Sequence, residues 1–255
     1  MSDDKKLSIL GHLAELRRRL LRSLIAVAIT TILAFIFYNQ VFQVLLWPVQ
    51  DVFISEGIQL QTIELTEMLG TIMRVCLVAG IILAVPYLTY ELIMFVSPAL
   101  TRREKTYVYL ILPWIALMFV GGVAFGYFIL IPRITNFLLT FGREIAAPQP
   151  RVGNYVSIVT RLLLATGLVF EMPVVTTFLA RIGVVSPQWL ADKRRVAIIF
   201  AFIIAAIITP TIDPINQSLV AAPLIVLYEM SIWLAKLVRR RKPAEVTISV
   251  PGGSE

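Results

Sequence analysis

The sequence predicts an all-α membrane protein with six transmembrane helices and both termini on the cytoplasmic side. Its composition is 58% hydrophobic and only 15% charged, with a mean hydropathy of +0.83 over 255 residues. A soluble domain of this length carries more charge because its surface faces water. The apolar residues form six long runs, and most basic residues collect at alternate ends of those runs.

The apolar runs match the thickness of a bilayer, whose core of about 30 Å needs roughly 20 residues of helix. The fifth run is unusual, because its 17 residues reach only about 25 Å. Either the bilayer thins locally around this helix, or the helix stops short and leaves a depression on the outer side. The predicted spans lie within 23–50, 75–100, 106–132, 162–180, 196–212 and 214–235.

Lysines and arginines determine the predicted orientation. Of the 23 basic residues, 18 lie in the two terminal segments or in loops 97–106 and 181–195. Basic loops stay cytoplasmic in polytopic proteins, so both termini are expected inside. The same clustering argues against a nucleic-acid partner despite the net charge of +7. We divide the chain into an amphipathic cytoplasmic helix, a transmembrane domain and a basic tail expected to be disordered, over 1–22, 23–237 and 238–255.

Several classes of chemistry are excluded by what the sequence lacks. Cys76 is the only cysteine, so no internal disulfide or thiolate metal cage can form. His12 is the only histidine, which removes the usual zinc and Ser-His-Asp sites. No phosphate-binding loop or hydrolase signature is present. We predict neither enzyme activity nor a cofactor or metal, and any work must draw on a membrane gradient or on partners.

Glu171 lies at the centre of the fourth predicted span. A carboxylate there costs on the order of 2.5–3.5 kcal/mol, so it is expected to face protein, water or a partner. The functional interpretation is a polar docking point or ion site, and the structural alternative is a hydrogen bond to a neighbouring helix. Pro173 removes a helical hydrogen bond, so the helix is expected to bend nearby.

Glu104 has two interpretations. The run Thr101-Arg-Arg-Glu104 is a capping box, which starts a helix by satisfying free backbone N–H groups. The alternative is a carboxylate displayed on the cytoplasmic face, able to take a guanidinium group bidentately. Composition alone favours the cap.

Other carboxylates have simpler structural interpretations. Glu15 lies three and four residues before Arg18 and Arg19, which predicts an intrahelical ion pair. Glu91 and Glu229 lie towards cytoplasmic ends of spans, where reaching water is cheap. Neither is expected to be catalytic.

Two short patterns predict local structure. Asp213 directly precedes Pro214, as expected of a helix N-cap followed by proline at the first helical position. Gly122 and Gly126 have the spacing that allows two membrane helices to approach closely.

Four motifs in this order resemble the TatC family, the multispanning subunits of the twin-arginine protein translocase. The resemblance covers nearly the whole chain. The motifs are HLAELRRRL at 12–20, FVSPALTRRE at 95–104, FEMP at 170–173 and TPTID at 209–213.

The resemblance implies a receptor for twin-arginine signal peptides and the core scaffold of a translocase. Such a complex exports folded proteins across the bacterial cytoplasmic (inner) membrane, driven by the proton-motive force. The family's signal-peptide site lies on the N-terminal helix and the first cytoplasmic loop. The resemblance implies that the corresponding binding residues here are Glu15, Arg17, Phe95 and Glu104. For Glu104, it favours a binding role over the capping role that composition alone favours.

The resemblance also implies partners. Glu171 matches an intramembrane glutamate that faces a concave pocket and is thought to meet the single-span subunits TatA and TatB. Asp213 falls in the TPTID motif, which the resemblance implies lies in a periplasmic loop. The bundle is expected to be glove-shaped, with short fifth and sixth helices, and several copies are expected in the complex. The outer-loop motif T-x-P-x-E-x-F departs here, reading IELTEML at 63–69, so the role of Glu67 stays open.

The competing hypothesis is a proton- or ion-coupled transporter of small solutes with Glu171 as the coupling site.

Overall fold

The described part of the chain is built almost wholly from α-helices. The computed structural model describes residues 9–96, 102–141, 143–145, 148–181, 183–209 and 213–238. Helices suit lipid because each one satisfies its own backbone hydrogen bonds where water is absent. The predicted all-α fold is confirmed. In chain order the helices are α1 (Ile9–Ile36), α2 (Tyr38–Leu46), α3 (Gln50–Glu56), α4 (Glu67–Val96), α5 (Arg102–Phe125), α6 (Ile131–Thr140), α7 (Val152–Phe170), α8 (Met172–Arg181), α9 (Pro187–Asp192), α10 (Arg194–Ile208) and α11 (Pro214–Val238).

Within the described ranges, five segments are long and apolar enough to cross a bilayer. They are Gly11–Ile36, Glu67–Leu92, Pro113–Thr140, Val152–Arg181 and Pro214–Val238. The fifth predicted span corresponds to α10, whose 15 residues reach only about 22 Å. Its shortness is confirmed, while a sixth crossing through α10 stays a prediction.

The expectation of a short sixth helix is wrong. The corresponding helix, α11, has 25 residues and a length of about 37 Å. Its apolar run is interrupted only by Glu229, and the helix continues through the turn that contains Lys236.

The first predicted span and the amphipathic segment before it form one uninterrupted helix. Arg22 and Ser23, on either side of the predicted boundary, both lie inside α1. The chain bends at Phe37, and α2, a 3-10 turn and α3 then cover the predicted outer face. The tail over 239–255 lies outside the described residues.

Helix α1 packs mainly against α4, and a glycine allows the close approach. The Thr30 hydroxyl donates to the Gly80 carbonyl oxygen at 2.8 Å, in addition to its bonds within its own helix. A Cβ atom at Gly80 would collide with the side chain and backbone of Thr31. The two backbones can therefore approach only while residue 80 is glycine.

The predicted close packing at Gly122 and Gly126 is confirmed. Helix α5 continues through a π-helical turn (Gly126–Leu130) into α6, and both glycines face α7. A Cβ atom at Gly122 would lie 2.6 Å from the carbonyl oxygen of Thr166, and one at Gly126 would lie 2.5 Å from its hydroxyl oxygen. This crossing brings α5 and α7 against the main apolar core, which α4, α10 and α11 also line.

The fourth span bends at Glu171, as the position of Pro173 predicts. Glu171 stands in a turn between α7 and α8, and its own N–H bonds to the Leu168 carbonyl oxygen at 3.2 Å. Helix α8 then packs against α11. The bend places a carboxyl group in the interior of the fourth span.

Candidate functional site

A guanidinium group joins two carboxylates at the predicted cytoplasmic face, where α1 begins and α4 ends. Arg19 donates from Nε and Nη2 to Glu15 Oε1 at 3.0 and 2.6 Å. Its third nitrogen, Nη1, donates to Glu91 Oε2 at 2.9 Å. The intrahelical pair predicted for Glu15 is therefore formed with Arg19, and it extends to a second helix.

Glu91 does not reach water, contrary to the interpretation from the sequence. The residue is only 3% exposed. The Tyr87 hydroxyl donates to Glu91 Oε1 at 2.8 Å, and Arg22 Nη1 lies 3.9 Å from the same oxygen. A buried carboxylate needs such partners, because an unpaired charge in a low-dielectric interior is strongly unfavourable. The sequence interpretation is wrong because it considered Glu91 without a partner on α1.

Two of the predicted signal-peptide residues are brought together at this face. Phe95, at the end of α4, stacks on His12 with ring centroids 4.3 Å apart, and His12 lies one turn before Glu15 on α1. Arg17 is exposed on the same helix. The result is a polar cluster, Glu15–Arg19–Glu91, beside an aromatic pair.

Glu104 lies in the first turn of α5. Its side chain and the proposed cap residue Thr101 are outside the described part of the structure, so the capping interpretation stays a prediction. Because α4 ends at Val96 and α5 begins at Arg102, only five residues separate the two helix ends. Glu104 thus belongs to the element that follows Phe95 at the same face.

One part of the Glu171 carboxyl group has a hydrogen-bond partner, which lies on α4. Thr89, a buried residue two residues before Glu91, is hydrogen-bonded to Glu171. Among the described residues, the buried Oε1 atom has no hydrogen-bond partner. The internal hydrogen bond and the docking interpretation are therefore compatible, because one oxygen is satisfied and the other is not.

Asp213 caps α11 as predicted. Its Oδ1 accepts from the Asn216 backbone N–H at 2.7 Å, and its Oδ2 accepts from the Asn216 side-chain amide at 3.0 Å. Pro214 is the first residue of the helix. The residue has a structural task at the predicted outer face, and this accounts for an aspartate at that position.

A second carboxylate cluster, at the predicted outer face, was missed by the sequence analysis. Glu67 Oε2 accepts the backbone N–H groups of Ile63 and Glu64 at 3.0 and 3.4 Å, while Oε1 accepts the N–H of Gly153 at 3.1 Å. Arg151 Nη2 lies 3.4 Å from Glu67 Oε2 and 3.1 Å from Glu64 Oε1.

These contacts fasten the first outer loop to the start of α7. The hydrogen bond with Glu64 and the charge of Glu67 raise the pKa of the Arg151 guanidinium above its usual value. Gln61 adds two backbone bonds, to the Pro150 carbonyl oxygen and from the Val152 N–H, both at 3.0 Å. The available sequence signal was an acidic loop without basic residues facing Arg151 immediately before a helix.

The fold and these sites define a polytopic helical membrane protein that presents a carboxylate–guanidinium cluster at one face and an incompletely satisfied carboxyl group inside one span. Comparisons with known proteins identify the family. The family model described as Sec-independent protein translocase protein (TatC) matches residues 11–223. The chain therefore belongs to the TatC family, and it is a subunit of the Sec-independent, twin-arginine translocase.

Individual relatives are similar over nearly their whole length. A Sec-independent protein translocase protein TatC of Carboxydothermus hydrogenoformans is 36% identical over 94% of this chain and 97% of its own. One from Aquifex aeolicus is 40% identical over 91% of this chain and 95% of its own. A solved structure described as the twin arginine translocase receptor TatC is 40% identical, with a TM-score of 0.80 over 90% of this chain and 100% of that one.

Proposed function

We propose that this chain is the receptor for twin-arginine signal peptides and the core scaffold around which the export complex for folded proteins assembles, with the proton-motive force as the energy source. One observation carries the proposal: Glu15 already holds an arginine guanidinium through two nitrogens at an accessible face. A carboxylate in that geometry is suited to the arginines of a signal peptide. The name of the similar solved structure, a twin arginine translocase receptor, supports this assignment.

The proposed binding residues act in two ways. Glu15 and Glu104 supply carboxylates, and an arginine offers each of them a planar fork that lysine cannot reproduce. Phe95 supplies an aromatic face beside Glu15, packed on His12. Arg17, which is exposed, is proposed to contact the peptide from the same helix. Each charge-assisted pair contributes about 1.5–3 kcal/mol to binding.

Glu104→Ala tests the receptor function most directly. We expect site-specific crosslinking of a twin-arginine precursor to fall to background, because one of the two proposed carboxylates is lost, while insertion into the membrane is retained. A precursor with a lysine pair should be captured more weakly than the arginine pair by the unaltered protein.

The control is Glu229→Gln on α11, an ion-paired glutamate outside the proposed site. Undiminished crosslinking with Glu104→Ala, in protein that inserts normally, would remove Glu104 from the site. Equal capture of lysine and arginine precursors would argue against recognition of the guanidinium fork.

Partner assembly is proposed to use Glu171. Its unsatisfied oxygen lies within an apolar span, where a hydrogen-bond donor from another helix is most valuable. We propose that polar groups of the single-span subunits TatA and TatB supply it. Further copies of this chain complete the complex in the lipid bilayer.

Glu171→Ala is expected to leave precursor crosslinking intact and to reduce co-purification of the single-span subunits severalfold. The isosteric Glu171→Gln separates charge from hydrogen bonding, because an amide can still both donate and accept. Full recovery of the single-span subunits with Glu171→Ala would exclude the docking role.

The proposed location is the bacterial inner membrane, with both termini cytoplasmic. The distribution of basic residues supports this orientation. It places Glu15 and Glu104 where a precursor arrives before export. Protease protection of a tag on either terminus, in right-side-out vesicles, tests it.

A further inference from the structure

Arg19 holds Glu15 in the same manner in which a signal-peptide arginine is expected to hold it. Two of its nitrogens share Glu15 Oε1, and the remaining nitrogen is bonded to Glu91. We propose that Glu91 is a positioning carboxylate beneath the signal-peptide site, and that Arg19 occupies Glu15 as an internal competitor until a precursor arginine displaces it. This inference rests on the proposed receptor function.

Burial assigns different tasks to the two carboxylates. The Glu91 side chain is 4% exposed and lies under the cluster, whereas the Glu15 side chain is 23% exposed. Tyr87 and Arg22 also hold Glu91 in place. An incoming peptide can therefore reach Glu15, while Glu91 stays with the protein's own arginine.

Glu91 makes the exchange on Glu15 possible at low cost. When a peptide guanidinium takes Glu15, Arg19 loses two hydrogen bonds but keeps its bond from Nη1 to Glu91 Oε2. No buried charge is left unpaired, which is the outcome that would otherwise be strongly unfavourable. The exchange replaces one guanidinium with another as the hydrogen-bond donor to Glu15 Oε1.

The presence of Arg19 as an internal competitor also increases the selectivity of the site for arginine over lysine. A lysine offers a single ammonium point charge, so it cannot replace both hydrogen bonds that Arg19 makes to Glu15. A lysine peptide must displace a better ligand, whereas an arginine peptide displaces an equal one. Discrimination then comes partly from what the site already contains, as in specificity achieved by a built-in competing interaction.

The test measures binding of two fluorescent peptides, carrying Arg-Arg or Lys-Lys, to full-length protein purified in detergent. With Glu91→Gln, Arg19 has at most a neutral acceptor at position 91, so Glu15 becomes the only carboxylate that Arg19 is bonded to and Arg19 holds it more firmly. Affinity for the Arg-Arg peptide is expected to fall about tenfold, the scale of one charge-assisted hydrogen bond. With Arg19→Gln, affinity for both peptides should rise and the preference for arginine over lysine should narrow.

The double variant Arg19→Gln with Glu91→Gln separates this exchange from a merely structural role. Both the competitor and its buried counter-charge are gone, so affinity for the Arg-Arg peptide should return at least to that of the unaltered protein. Glu229→Gln is the matched control and should bind as the unaltered protein does. Size-exclusion profiles show that each variant is folded.

Two results would overturn the proposal. The first is a Glu91→Gln variant that binds both peptides as the unaltered protein does. The second is a double variant that stays as weak as Glu91→Gln, which would mean that Glu91 only supports the fold. If the unaltered protein bound neither peptide, the receptor function itself would fail, and this inference would fail with it.

Discussion

Gly122→Leu is expected to destabilise the helical bundle strongly. The first atom of the new side chain would lie 2.6 Å from the Thr166 carbonyl oxygen and 2.7 Å from the Phe170 Cβ atom, on the facing helix α7. One of these neighbours is backbone, so rotamer changes cannot relieve the collision and the helices must separate. We expect a loss of ~3 kcal/mol in stability, at the upper end of what overpacking costs. Thermal unfolding of purified protein, followed by intrinsic fluorescence, measures it.

The adjacent glycine provides a matched control. A Cβ atom at Gly121 would have nothing within 4 Å, and that residue is exposed. Gly121→Leu makes the same chemical change one position away, and leucine favours a helix over glycine. It should therefore unfold at or slightly above the temperature of the unaltered protein. Similar losses in both variants would mean that general side-chain bulk in α5, and not the contact with α7, is responsible.

Glu67→Ala is expected to release the first outer loop from α7. The substitution removes the acceptor for three backbone N–H groups, those of Ile63, Glu64 and Gly153, and one partner of Arg151. The opening should be confined to the loop, because the loop is exposed at the surface and the apolar core lies beneath it. Amide hydrogen exchange at these positions should accelerate at least about tenfold, since exchange follows local opening.

Glu64→Ala is the comparison for this outer cluster. Glu64 also contacts Arg151, but its side chain is 69% exposed and, among the described residues, accepts no backbone hydrogen bond from the loop. Its removal should leave exchange at Gly153 unchanged. If Glu67→Ala left that amide protected as well, the two backbone bonds of Gln61 would suffice to hold the loop.

Sequence reasoning succeeded where the signal was local and physical. Apolar runs located the helices, Pro173 located the bend at Glu171, and Asp213 with Pro214 located the start of α11. Helix bounds were less accurate, because a helix extends beyond the apolar part that lies in lipid. Helix α4 begins at Glu67, eight residues before the predicted span.

The sites were harder to predict, since their partners lie far apart in the chain. Arg19 and Glu91 are separated by 72 residues, and Glu67 and Arg151 by 84. A single sequence gives no indication of which acidic residue meets which basic one. Each residue was therefore interpreted from its own span alone. That led to the wrong expectation that Glu91 reaches water, and it left Glu67 without a role.

The arrangement of α1 has a mechanical consequence. Only 6% of its most apolar 18-residue stretch is buried inside the protein, whereas 33–39% of the corresponding stretch is buried in each of the other four spans. Its contacts with α4 run along its length, from the Arg19–Glu91 ion pair, past the contact of Thr30 with Gly80 about 17 Å further along its axis, to the Cys76 thiol beside the Ala34 carbonyl oxygen. Helix α1 is thus attached to the bundle mainly through a single neighbouring helix, and most of its apolar side chains are left exposed to the bilayer.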